Sequence, residues 1–177
     1  KYTVPFSFSI RHIFLSTYKP YTVQKGDTLE SIAEKVCGDA SKADSILYAA
    51  TKRSRKEPKN EGEASVPPLE EGESLLVPMA PAEKQAVEER IRKIYDDLKA
   101  GADFETMAEK HSEAATGSQL STMTPRKDKP ILPEVRAAIE NTPVGSFSEP
   151  FATKHGMQIV QVVRRQEERI KPLDEVR

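Results

Sequence analysis

Tryptophan is missing altogether, and one cysteine is all that 177 residues carry. A lone Cys37, in KVCGD, rules out an internal disulfide, and it has no companion ligands for a metal site. It reads as a buried thiol at a helix end. The lack of Trp removes one common sugar-stacking side chain, although five Tyr and six Phe remain. An excess of charge is lacking too, since 27 basic against 28 acidic residues leave a net −1. That balance gives no electrostatic case for nucleic acid or an anionic membrane. No apolar run approaches the ~20 residues needed to span a bilayer. No signal peptide is visible, and a start at Lys1 reads as an excised fragment or mature portion. There is no nucleophilic triad, phosphate loop or His/Cys ligand cluster.

What is present is a polar but globular composition, 37% hydrophobic and 31% charged, enough for one ordinary domain or two small ones. SFSIRHIFLS (7–16) alternates Phe8, Ile10, His12 and Phe14 against Ile13 and Leu15. Bulky groups on both faces predict an inner strand covered on two sides. Tyr21 and Val23 form a short strand, KGDT turns the chain, and Asp27 or Thr28 caps a helix over 28–37. Its Leu29, Ile32, Ala33 and Val36 make one apolar stripe. A second helix is expected over 41–51, with Ala43, Ile46, Leu47 and Ala50 inward. A charged segment, Lys52 to Ser65, buries almost nothing, and ESLLVP closes the module as a strand.

From Pro81 the pattern changes. Val87, Ile91, Ile94, Tyr95 and Leu98 mark a long amphipathic helix that stops before Gly101. A shorter helix spans 103–111, GSQLSTMTP is a weak strand and LPEVRAAIEN a helix. GMQIVQVVRRQ is a strong strand, and KPLDEVR reads as the start of another helix. The two strong strands, 7–16 and 156–165, lie at opposite ends of the chain. Pairing them in one sheet requires the region after Pro81 to return beside the first strand, which makes Tyr21–Pro78 an insertion with its ends close together.

YTVQKGDTLESIA, ADSILYAA and EEGESLLVP resemble the LysM domain, a small βααβ fold. The resemblance implies binding of N-acetylglucosamine glycans, peptidoglycan or chitin, with Gly26, Asp27, Thr28 and Leu29 on one side of the groove. Exposed loop amides suit N-acetyl oxygens. The same Asp27 and Thr28 serve equally as helix caps in a module that binds no sugar. Ala50-Thr51 stands where many family members have Ala-Asn.

With that module removed, FSIRHIFLS, LKAGADF, LPEVRAAI and GSFSEPF resemble a parvulin-type peptidyl-prolyl isomerase domain of the SurA/PrsA, or PpiC, kind. The implied fold is α+β, a four-stranded antiparallel sheet wrapped by helices and interrupted after its first strand by the βααβ module. The resemblance also implies that neither a metal nor an organic cofactor is needed. The expected domains are 1–18 with 80–168, an insert at 19–79, and a C-terminal helix or linker from 169 to 177. By resemblance His12 is the first strand histidine and Gln158 stands at the second, both at catalytic positions. Ala114 stands where Asp or Cys is expected, and Ile131 and Val135 where a pocket Met and Phe belong. Met123 and Met157 complete the expected substrate-binding set. Gln158 could exchange hydrogen bonds with His12 across adjacent strands, and a satisfied pair of core polar groups is the favoured form of that contact. His111 and His155 read as surface residues.

Three functions follow: an active prolyl isomerase, a protein-binding module with little turnover, and a cell-wall tether. The substituted positions favour the second. The expectation is a SurA-like folding factor of the periplasm or cell envelope that binds unfolded or proline-containing polypeptide, with a LysM module that either adds a peptidoglycan contact or binds no sugar.

Overall fold

A computed structural model describes residues 2–4, 7–48, 69–114, 119–124, 131–166 and 169–171. In chain order the elements are strands β1 (Tyr2–Val4), β2 (Ser7–Ser16) and β3 (Tyr18–Thr22), helix α1 (Leu29–Cys37), a 3₁₀ turn (Ala40–Ser45), and strands β4 (Leu47–Tyr48) and β5 (Ser74–Pro78). Helices α2 (Pro81–Lys99) and α3 (Phe104–His111), strand β6 (Ser121–Met123), helix α4 (Pro133–Asn141) and strands β7 (Phe151–Thr153), β8 (Gly156–Gln166) and β9 (Arg169–Lys171) follow. The chain divides into two compact units, one of Lys1–Ser16 with Ala86–Arg177 and one of Thr17–Gln85. No helix among the described residues is long and apolar enough to cross a membrane.

The first unit is built on an antiparallel sheet in the order β6-β2-β8-β7. β2 lies inside it, paired with β6 through Phe8–Met123 and with β8 from Ser7–Gln166 to Ser16–Gly156. Alternation sends its side chains into two separate cores. Ile13 and Leu15 pack with Ile159 of β8 and with Ile91, Ile94, Leu98, Phe104 and Met107, the inward stripes of α2 and α3. Phe8 and Ile10 pack on the opposite face with Val135 and Ile139 of α4 and with Val160 and Val162. Each fully buried aliphatic or aromatic side chain contributes on the order of 1.5–3 kcal/mol, an upper figure because the unfolded chain already hides some area.

In the second unit β5 lies between β3 and β4, with Val23, Ile32, Ala33, Ile46, Leu75 and Val77 as its core. Thr28 is the N-cap of α1, and Gly38 closes the helix in the left-handed region at φ 71°. The helix expected over 41–51 is not formed. Ala40–Ser45 is a 3₁₀ turn capped by Asp39, and Leu47–Tyr48 pairs with Leu76–Leu75 of β5. Ala43, Ile46 and Leu47 lie at helical spacing, but the backbone of Leu47–Tyr48 pairs in the ladder to β5, which so short a pattern does not announce. Ala49–Thr51, the Lys52–Ser65 segment and residues 172–177 lie outside the described residues. Residues 169–171 form β9, paired with β1, where the sequence suggested the beginning of a C-terminal helix or linker. An antiparallel ladder satisfies backbone groups that composition alone had left to a helix.

Candidate functional site

The α4 side of the first unit's sheet gathers most of the expected site residues. His12 stands opposite Val160, and Gln158 stands between Phe14 of β2 and Phe151 of β7. Val135 is 7% exposed within the core of this face, and Met123, Ile131, Leu132 and Phe151 are half-buried side chains packed against it. The result is an apolar surface with two polar side chains in it. α4 begins at Pro133, a ring suited to a first helical turn whose N–H would have no partner, and Leu132 before it offers no side-chain cap.

Met157 is not part of this face. It alternates away from Gln158 and packs against the α2/α3 core, so it cannot line the surface that holds His12. Val135 does belong to this face, buried in the core that Ile131 and Leu132 pack against. Phe14 and Phe151 are the additions the sequence reading lacked. Phe14 was visible on the His12 face of the strand pattern, and Phe151 stands in the SEPF motif.

His12 and Gln158 do not satisfy one another. The Nδ1 of His12 is buried without a hydrogen-bond partner, and burial holds its pKa below the ordinary 6.5. The Gln158 amide donates instead to Thr153 Oγ1 at a long 3.5 Å, beyond the usual ~2.7–3.2 Å range. The expected pair of mutually satisfied core polar groups is therefore absent, because the strand register places the two residues on a diagonal. The segment after α3 runs along the far end of β2. The Glu113 amide donates to Phe14 O at 2.8 Å, and Ser112 Oγ accepts from Phe14 N at 3.1 Å and from Ala114 N at 3.4 Å. Ala114, which has no ionisable group, follows Glu113 on that backbone. His111 and His155 are half-buried; His155 lies in the two-residue turn between β7 and β8.

In the second unit the Gly26–Leu29 loop is tied to its own fold. Asp27, its side chain 3% exposed, accepts from Tyr21 Oη at 2.7 Å, Gln24 N at 2.9 Å and Lys35 Nζ at 2.6 Å. Lys35 contributes most to holding this carboxyl at about 2, followed by the Gln24 amide and the Tyr21 hydroxyl. Thr28 and Ser31 form a reciprocal capping box, Thr28 N to Ser31 Oγ at 2.9 Å and Ser31 N to Thr28 Oγ1 at 3.2 Å. The Asp27 amide donates to Gln24 O at 3.0 Å, and Leu29 packs on the core. Gly26, at φ 85°, supplies the left-handed turn. Of the four expected sugar contacts, three side chains are thus committed to structure and two amides are already bonded.

Comparison with known proteins agrees with this arrangement. The PPIC-type PPIASE domain model matches residues 74–164, half of the chain, and the LysM domain model matches residues 21–43. The first match leaves out Ser7–Ser16, although that strand is internal to the same sheet. Chaperone SurA of Pseudomonas fluorescens (strain Pf0-1) is 32% identical over 96 residues, covering 51% of this chain and 22% of that protein. Chaperone SurA of Aliivibrio fischeri (strain ATCC 700601 / ES114) is 37% identical over 79 residues, covering 42% and 17%. Chaperone SurA of Pseudomonas aeruginosa, strain PAO1, is 32% identical over 95 residues, covering 51% and 22%. The chain spans about a fifth of the length of the curated relatives it matches. With a four-stranded antiparallel sheet, the helices around it and this match, the chain belongs to the PPIC-type PPIASE domain family and has a parvulin fold.

Proposed function

We propose that this chain is part of a SurA-like protein-folding factor of the cell envelope, whose parvulin-fold domain holds extended, proline-containing polypeptide and isomerises it weakly. The LysM domain, residues 19–79, is an insertion between the first strand of that domain and its first helix. The envelope location rests on family analogy.

Rotation about an X–Pro bond crosses a barrier of ~18–20 kcal/mol with no bond broken. A catalyst of it needs an apolar seat for the proline ring and polar groups that favour the twisted amide over the planar one. Met123, Ile131, Leu132 and Phe151 offer the seat. The polar side is thin, and the observation that carries the reading is His12, an imidazole whose Nδ1 has no partner; by resemblance Gln158 and Ala114 stand where polar catalytic groups are expected. Such a face favours burial of apolar side chains over stabilisation of a changing charge distribution.

A protease-coupled assay on a proline-containing tetrapeptide, run beside a binding titration with an unfolded polypeptide, tests it. Saturable binding with turnover far below that of an active parvulin is expected. Turnover equal to an active parvulin overturns the weak-catalyst reading in favour of an active isomerase, and absent binding overturns the holding role.

The LysM match supports a second role, attachment to peptidoglycan or another N-acetylglucosamine glycan. With Asp27 and Thr28 engaged inside the fold, such binding falls to main-chain groups of the loop and to shape. Retention on purified peptidoglycan, against a LysM protein of known binding, decides it; passage without delay removes the tether.

A further inference from the structure

Strict alternation along β8 would turn Arg165 away from Val162 and toward the α2/α3 core. The ladder with β2 is irregular there, however. Ser9 pairs with Arg164 and Ile10 with Val162, leaving Val163 as an extra residue. This bulge reverses the alternation, so Arg165 stands opposite Phe8 on the face covered by α4. Its guanidinium lies 5.9 Å from the Phe8 ring centroid. Its Nη2 donates to Ile139 O at 2.8 Å, Glu140 O at 3.2 Å and Thr142 O at 3.4 Å.

Those carbonyls are the last of α4, where unpaired oxygens and the negative helix end favour a cation. Thr142 adds its own bond, Oγ1 to Ala138 O at 2.6 Å. The other end of α4 has no side-chain cap, and there Ile131, Leu132 and Val135 meet the His12 face. One end of the helix is thus fastened to the sheet, and the uncapped end carries the wall of the candidate site. The fastening leaves Arg165 Nε buried and without a partner, an arrangement that packing alone does not favour.

We propose that Arg165, re-aimed by the bulge at Val163, is a positioning residue that sets the placement of α4 and with it the Ile131–Val135 wall of the polypeptide-binding face. The inference rests on the reading of that face as a site for extended polypeptide. Arg165 touches no substrate; it acts through the helix.

The test uses the whole chain, a labelled proline-containing tetrapeptide, and methyl NMR of the isoleucines and valines. Arg165→Met, which keeps a long stem over Phe8 but no donor, is expected to weaken peptide binding by roughly tenfold or more. It is also expected to shift the methyl signals of Ile131 and Val135 while leaving Ile91 and Ile94 in place. Arg165→Lys, which restores a cation at the carbonyls, is expected to recover most of the affinity; Arg165→Gln, polar but uncharged and shorter, is expected to weaken binding as the Met variant does and covers the case in which that variant does not fold. Arg136→Ala, removing the exposed Arg136–Glu140 pair on the same helix, serves as the control and is expected to bind like the original. If the original chain binds no peptide, the polypeptide reading itself has failed. If the original binds and folded Arg165→Met, or Arg165→Gln in its place, binds equally well with Ile131 and Val135 unmoved, the positioning role is overturned.

Discussion

His12 and Gln158 share one face of the sheet without meeting: His12 stands across from Val160, and Gln158 stands across from Phe14. Diagonal neighbours of this kind are ~7–8 Å apart at the backbone, which two short polar side chains bridge only when both reach inward. Here Gln158 leans toward Thr153 and His12 Nδ1 is left buried without a hydrogen-bond partner. Neither side chain therefore serves as the other's hydrogen-bond partner.

Replacing His12 with Leu tests that directly. A buried polar atom without a partner costs ~1–3 kcal/mol, so an apolar group of similar size is expected to leave stability unchanged or to raise it by about 1 kcal/mol. Urea unfolding measures this, and a marked loss of stability points to an unrecognised partner at Nδ1. The pH dependence has a definite sign. Because the folded pKa lies below the ordinary 6.5, the unfolded chain binds the proton first as pH falls, and His12 removes stability from about pH 6.5 downward. Between about pH 7.5 and 5.5 the original chain is expected to lose more stability than His12→Leu.

The sheet and its two-sided core were legible because β2 and β8 carry bulky residues on both faces, a pattern that only an internal strand tolerates. The Pro81–Lys99 helix was equally plain from Ile91, Ile94 and Leu98. The short pairing of Leu47–Tyr48 was not, since two residues carry too little periodicity to separate strand from helix. Met157 was misplaced for a related reason. Its neighbour Gln158 was assigned to the site by motif, and a motif does not say which face each residue takes. Arg165 was invisible because period-two counting fails across a bulge, and nothing in VQVVRRQ announces which valine is the extra one.

Gly156 sits where β8 meets the end of β2, and its role is close approach. A Cβ built there would lie 2.1 Å from Leu15 O and 2.8 Å from Phe14 Cε2. The first of these is backbone and cannot rotate away, so Gly156→Ala must push β2 and β8 apart beside Phe14 and Gln158. The expected cost is about 3 kcal/mol or more, read by urea unfolding. An alanine variant as stable as the original would show that the two strands have slack at this point.

Asp27→Ala removes the acceptor of three hydrogen bonds at once and is expected to lower the melting temperature of the second unit by several degrees. The carboxyl is held at about 2 against an ordinary 3.8, so its contribution is complete above 3.8 and is lost as pH falls toward 2. The partner Lys35 is raised above 10.5 by Asp27, and its share is present below that value and fades at higher pH. The gap between the original and Asp27→Ala should therefore be constant through neutral pH and narrow at both extremes. A gap that persists undiminished at about pH 2 would mean that the loop is held by something other than this ionised carboxylate.

The proposed weakness in catalysis has a chemical cause that can be reversed. By resemblance, the face lacks an ionisable group at Ala114 and an imidazole at Gln158, while the apolar seat is largely in place. Gln158→His puts a second ring on the same face as His12. Ala114→Asp puts a carboxylate on the backbone that follows Glu113, whose amide is bonded to Phe14 O. The new carboxylate also favours a protonated imidazole nearby, opposing the burial that now keeps His12 neutral. Residues of one network act together, so each single change is expected to yield little and the pair more than their sum. In the protease-coupled assay the double variant should gain roughly tenfold or more in turnover, with peptide affinity little changed. If the double variant gains nothing while still binding peptide, the deficit lies in the aliphatic seat of Ile131 and Val135. A larger side chain at Val135 is then the substitution to make, because by resemblance a pocket aromatic belongs there.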